Sequence, residues 1–99
     1  MRRAARRDAG EQDIIKALRD KGAFVKQIND EGAFDLLVGY VGQSGTEYTL
    51  LLEVKDGSKP PSARRLTEAE EKFHAEWPLF NLFIVNNPAE AVALLMGCE

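Results

Sequence analysis

Apolar side chains recur at Ile14, Ile15 and Leu18 within residues 8–21, the spacing of a helix that turns one face to a core, and Lys21-Gly22 supplies a stop. At 3.6 residues per turn, Glu11 falls inside that stripe, one turn ahead of Ile14 and Ile15. A carboxylate is therefore expected to face the interior. Further on the period shortens. The stretches "AFVKQI" (23–28), Phe34 to Tyr40 and Tyr48 to Lys55 read as three strands, with "VGQSG" suited to a hairpin or short loop between the last two. The third is apolar on both faces, which predicts a central strand covered on each side. "DGSKPPSARR" (56–65) cannot continue a sheet, because Gly57, Pro60 and Pro61 break it, and predicts an exposed basic loop. Thr67 and Glu70 have the T-x-x-E spacing of a capping box, opening a helix to Trp77 with Ala69, Phe73 and Trp77 as its buried stripe. "LFNLFIV" (79–85) reads as a fourth strand, and Asn87-Pro88 opens a last helix through Met96 that Gly97 ends. The predicted order is α-β-β-β-α-β-α, an α/β domain whose mixed four-stranded sheet is flanked by helices.

Composition narrows what such a domain can be. The chain has 99 residues, 44% hydrophobic and 29% charged, enough for one core and too few for two. Residues 1–7 read as a basic N-terminal segment and 8–99 as a single domain. No apolar run reaches the ~18 residues of a membrane helix, and "MRRAARR" leads into acidic helix sequence, so an intracellular, cytoplasmic location without membrane contact is expected. Cys98 stands alone, which excludes an internal disulfide and a cysteine-based zinc cage. A net charge of -3 and a pI of about 5.2 argue against a protein that merely coats nucleic acid. The basic residues are nonetheless clustered, with Arg2, Arg3, Arg6 and Arg7 at the N-terminus and Lys55, Lys59, Arg64 and Arg65 in and beside one loop. Such clusters hold phosphates or are simply solvated.

The charges inside the apolar runs carry the chemistry. Side chains alternate along a strand, so Glu53 and Lys55 share a face roughly 6.5–7 Å apart while Val54 points away. If the second and third strands are neighbours, Asp35 reaches the same region, and Glu11 approaches it from the first helix. Burying such charges costs several kcal/mol unless they are paired or bound to metal. Asp35, Glu53 and the Val54 carbonyl are oxygen donors suited to Mg²⁺, with Glu11 binding directly or through water. A metal-activated water attacking a phosphodiester would then have Lys55 to position it or to neutralise the transition state. The plainer alternative caps the strand ends with Asp35 and Glu53 and pairs Glu53 with Lys55. Glu70 and His74, one turn apart, belong to the rim of this region; Glu70 is also explained as the capping acid, and His74, the only histidine, as a structural residue.

"G-x-F-D" at 32–35, "LLLEVK" at 50–55, the basic loop and "LT-x-x-E" at 66–70 resemble the signature of the PD-(D/E)xK nuclease superfamily, and most of all its stand-alone virus-type replication-repair nuclease (VRR-NUC) branch found in phages. The likeness runs from Glu11 to the C-terminus. It implies a restriction-endonuclease-like core, Asp35 and Glu53 as metal ligands, Lys55 as the catalytic lysine and Glu11 as the first-helix acid. It further implies a Mg²⁺- or Mn²⁺-dependent DNA endonuclease of phage or prophage origin, a homodimer, with branched DNA such as a Holliday junction as substrate. Two positions depart from the pattern. Ala33-Phe34 stand where a proline usually precedes the aspartate, and the second helix offers Glu70 or Glu71 in place of a glutamine. Two other functions compete with the enzyme: a non-catalytic module that holds DNA or a nuclease partner through Lys59, Arg64, Arg65 and the N-terminal arginines, and a purely structural interaction domain. Converging carboxylates would repel a bound phosphate unless a cation stood between them, which favours the enzyme.

Overall fold

A computed structural model describes residues 9–77 and 81–98. The four N-terminal arginines, Asp8, and residues 79–80 of the predicted fourth strand lie outside them. Three α-helices and four strands follow in the order helix α1 (Ala9–Asp20), strands β1 (Phe24–Gln27), β2 (Leu36–Val41) and β3 (Glu47–Val54), helix α2 (Glu68–Glu76), strand β4 (Leu82–Val85) and helix α3 (Pro88–Met96). A turn of 3₁₀ helix at Pro61–Arg64 interrupts the basic loop, with Pro61 at its start where a missing N–H costs nothing.

The sheet runs β1-β2-β3-β4, antiparallel in its first three strands and parallel between β3 and β4. Two interior strands result, and β3 is one of them, so the four consecutive buried residues Leu50 to Glu53 lie where a strand has neighbours on both sides. Pairing of Leu36 with Leu52 and of Val38 with Leu50 sets the register and brings four aliphatic side chains onto one face. Ile14, Ile15 and Leu18 of α1 and Ala91 and Leu95 of α3 cover them, and α1 also packs on α3. Fully burying each of the valine, leucine and isoleucine side chains contributes roughly 1.5–3 kcal/mol. This face is the hydrophobic core.

Side-chain alternation sends Glu53 and Lys55 to the opposite face, and α2 approaches them there. That corrects the stripe expected for α2. Ala69 is exposed, Trp77 is 45% exposed and Phe73 half-buried, while the buried residue of the helix is Glu70. Only Ala69 and Phe73 of that stripe fall within the nine helical positions, too few to orient the helix, and an ion pair to Lys55 turns Glu70 inward instead. Its N-terminus is as the sequence predicts. Thr67 Oγ1 accepts from the Glu70 N–H at 3.2 Å while the Glu70 carboxylate accepts from the Thr67 N–H at 2.8 Å, a complete capping box. At α3, Asn87 Oδ1 caps the Glu90 N–H at 2.8 Å and Pro88 begins the first turn.

Candidate active site

Asp35 owes its place to the turn between β1 and β2. Asn29 adopts a left-handed conformation with φ of 52°, which asparagine tolerates better than most residues. The N–H groups of Ile28 and Asn29 then both donate to the Asp35 carbonyl, at 2.7 and 3.0 Å, and the Asp35 N–H donates to Leu52 at 2.9 Å. The Asp35 side chain lies against β3, where its Oδ2 accepts from the Val54 N–H at 2.8 Å. The first carboxylate of the motif is thus tied to the residue between Glu53 and Lys55.

Glu53 is 2% exposed. Its Oε2 lies 3.3 Å from Lys55 Nζ, and its buried Oε1 meets no hydrogen-bond donor. The Glu53 carboxyl also lies within hydrogen-bonding reach of Glu70, a contact that two carboxyls make by sharing a proton. Burial pushes its pKa up to about 8, helped by the nearby charge of Asp35 and by the Glu70 carboxylate, with Lys55 pulling the other way. A carboxyl that wants a proton at neutral pH is one in need of a counter-charge.

Lys55 and Glu70 complete the cluster. Lys55 Nζ donates to Glu70 Oε1 at 2.8 Å, the oxygen that also takes the Thr67 N–H. Burial alone would lower the lysine pKa, but the Glu70 hydrogen bond and the charges of Glu53 and Glu70 outweigh it and hold the ammonium above its usual range. Burial would likewise raise Glu70, yet the hydrogen bonds from Lys55 and Thr67 pull it below the usual carboxylate range. The ionised partners are therefore Lys55 and Glu70, and Glu53 is the member that keeps a proton.

The remaining predicted residues lie on α1, α2 and the basic loop. Glu11 is 4% exposed in the first turn of α1, and its Oε2 accepts from Gln27 Nε2 at 3.1 Å. His74 lies one turn beyond Glu70, near enough to feel both Glu70 and Lys55, with a buried Nε2 that has no partner. Burial lowers its pKa and the Lys55 charge adds to this, against Glu70. Lys59 and Arg65 are exposed and Arg64 half-buried, its Nε donating to the Lys59 carbonyl at 2.8 Å. The basic loop is pinned at its start, where Ser58 Oγ and N–H donate to Asp56 Oδ1 at 2.6 and 2.9 Å and hold that carboxyl below its usual range.

Two features have no counterpart in the sequence reading. The Lys55–Glu70 ion pair joins residues 15 positions apart that belong to different predicted elements; the sequence placed Glu70 in the capping box and at the rim of the site without pairing it with Lys55. Gly57 has a steric reason. A Cβ there would stand 2.5 Å from the Asn86 carbonyl oxygen, to which the Gly57 N–H donates at 3.0 Å, so only glycine lets the chain leave the motif alongside the end of β4.

The donor set can be tested for a divalent cation. Among the described residues no three His, Cys, Asp or Glu side chains form a ready-made cage. Mg²⁺ does not require one, since it is commonly bound by one or two carboxylates and keeps several waters. Asp35, Glu53 with its donor-free Oε1 and the Val54 carbonyl fit that description. No protein family, curated protein or solved structure matches the chain. Among the described residues, no helix is long and apolar enough to cross a membrane.

Proposed function

We propose that the protein is a metal-dependent DNA endonuclease that hydrolyses phosphodiester bonds on a restriction-endonuclease-like core. The observation that carries this reading is Glu53, a buried carboxyl with a donor-free oxygen beside Asp35, two positions before a half-buried lysine. As a device for stability alone the cluster is poor, because a buried ion pair rarely outperforms apolar packing. As a site it is apt. Asp35, Glu53 and the Val54 carbonyl would hold Mg²⁺ or Mn²⁺, and by the resemblance Glu11 would contribute to the same ion. The ion would supply a water of lowered pKa and charge stabilisation at the phosphate.

The protein's own groups do the rest. Glu70 holds Lys55 so that its ammonium faces Glu53, from where it can orient the attacking water and offset the charge that develops on phosphorus. Lys59, Arg64 and Arg65 take neighbouring phosphates on the loop that leaves the motif. By the resemblance in its sequence, the protein acts as a homodimer on branched DNA inside a phage-infected cell, two subunits giving two cuts in fixed geometry.

A second reading, a non-catalytic DNA-binding or nuclease-partner module, draws on the saturation of Lys55 by Glu53 and Glu70. Labelled four-way junction, flap and linear duplex, incubated with Mg²⁺, Mn²⁺ or EDTA and with Glu53→Gln in parallel, separate the two. Metal-dependent cutting that the variant loses supports the enzyme. DNA retained by both proteins and cut by neither assigns the module.

A further inference from the structure

Phe34, Phe73 and Trp77 form a ladder of rings that the core does not use. Phe34 stacks on Phe73 with centroids 6.2 Å apart and planes 24° from parallel, and Phe73 stacks on Trp77 at 5.6 Å and 22°. Phe34 immediately precedes Asp35, and Phe73 lies on α2 one turn beyond Glu70, the residue that holds Lys55. The ladder therefore starts at the candidate active site and ends at an indole that is 45% exposed. Docking of α2 explains Phe34 on Phe73. It does not explain an open indole continuing the stack outward.

We infer that this ladder is a stacking platform for an unpaired nucleobase, with the exposed indole of Trp77 as the seat of the base. The inference rests on the nuclease reading and narrows its substrate to DNA with a single-stranded stretch beside the scissile phosphate. Three observations favour a nucleobase as occupant. Near-parallel rings offer a π face, which any base can stack upon regardless of sequence. The platform is continuous with the site that would hold the phosphate. The cations Lys59, Arg64 and Arg65 lie on the segment that leads directly into α2, so the backbone charge of a strand has partners on the adjoining loop. Seven helical rises from Glu70 to Trp77 span about 10 Å, which a strand covers in about three stacked nucleotides, and in fewer when unstacked. A fully paired four-way junction presents no free base to such a seat, whereas a flap, a gap or a frayed end does.

The chain has one tryptophan, so its emission reports on this position alone. In the Glu53→Gln protein we expect Trp77 emission to be quenched by single-stranded oligothymidylate and by a flapped duplex, and not by blunt duplex. In the same background Trp77→Ala should weaken flap binding by about tenfold or more, within the range of one lost base–aromatic stack. Trp77→Phe should restore most of that loss, and blunt-duplex affinity should stay unchanged. Thermal melts of each variant show whether the fold is intact; should Trp77→Ala fail to fold, the quenching pattern of the unaltered indole still decides. Equal quenching by flap and blunt duplex, DNA binding without quenching, or an equal loss on all DNAs overturns the platform while leaving the nuclease reading standing. Quenching by single strands in a chain that never cleaves DNA supports the platform and removes the nuclease.

Discussion

Replacing Glu53 by glutamine keeps the side chain's shape and removes its ability to ionise. In the folded chain Glu53 titrates at about 8 against 4.5 for an ordinary glutamate, so the fold retains a proton that the unfolded chain gives up. For an acid raised in this way, the contribution to stability is fully present below pH 4.5 and falls as pH climbs toward 8, after which it is flat. At about 1.36 kcal/mol per pH unit, the whole displacement corresponds to about 5 kcal/mol, of which about 3 kcal/mol is already lost at pH 7. These are ceilings, since water entering beside the ionised carboxylate recovers part of the cost. Glu53→Gln should therefore match the native protein within about 1 kcal/mol at pH 5 and exceed it by up to several kcal/mol at pH 8.5. Urea unfolding in EDTA at the two pH values measures this directly. Millimolar Mg²⁺ should then stabilise the native protein and not the variant, because a ligand that binds only the fold shifts its equilibrium. Identical pH dependence in both proteins would refute the buried proton. A variant less stable at pH 8.5 would mean that Glu53 is ionised and serves Lys55 as a structural partner.

Other substitutions probe the surroundings. Gly57→Ala places a Cβ against the Asn86 carbonyl and should cost about 1–3 kcal/mol in urea unfolding, by forcing the backbone after the motif away from β4. Wild-type stability in that variant would show that the two segments separate freely. Thr67→Ala removes one half of the capping box and should cost about 1 kcal/mol; with Glu70 less fixed, kcat for cleavage should fall more than KM changes, and an unchanged kcat would uncouple the cap from Lys55. Combined Lys59, Arg64 and Arg65→Ala substitution should weaken binding to every DNA alike and flatten the dependence of affinity on salt. An unchanged slope would place the phosphates elsewhere.

Strand alternation carried most of the site from sequence to structure. Glu53 and Lys55 must share a face wherever residues 50–55 form a strand, and a strand apolar on both faces has to be interior, so the burial of Glu53 was legible before any coordinates. The helical stripe likewise placed Glu11 inside. For α2 the same kind of reasoning failed. Periodicity gives the angles between side chains and not which of them the rest of the chain will attract, and in α2 an ion pair prevailed over an aromatic stripe. The crowding at Gly57 was illegible for a related reason, since it depends on where β4 ends, some thirty residues further on. The left-handed Asn29 that steers Asp35 into place escaped because "QINDEGAF" offers several turn residues and its local chemistry does not single out one.

The wiring of the acidic and basic groups is short in sequence. Asp35 meets Val54 across 19 positions and Lys55 meets Glu70 across 15, both inside one uninterrupted stretch that contains the β2–β3 hairpin and the start of α2. Closing loops of that size costs little entropy compared with bringing the two ends of the chain together. The hairpin can assemble its polar cluster before α3 has packed against α1, and the charges that would be most expensive to strand in a finished interior meet their partners while water still surrounds them.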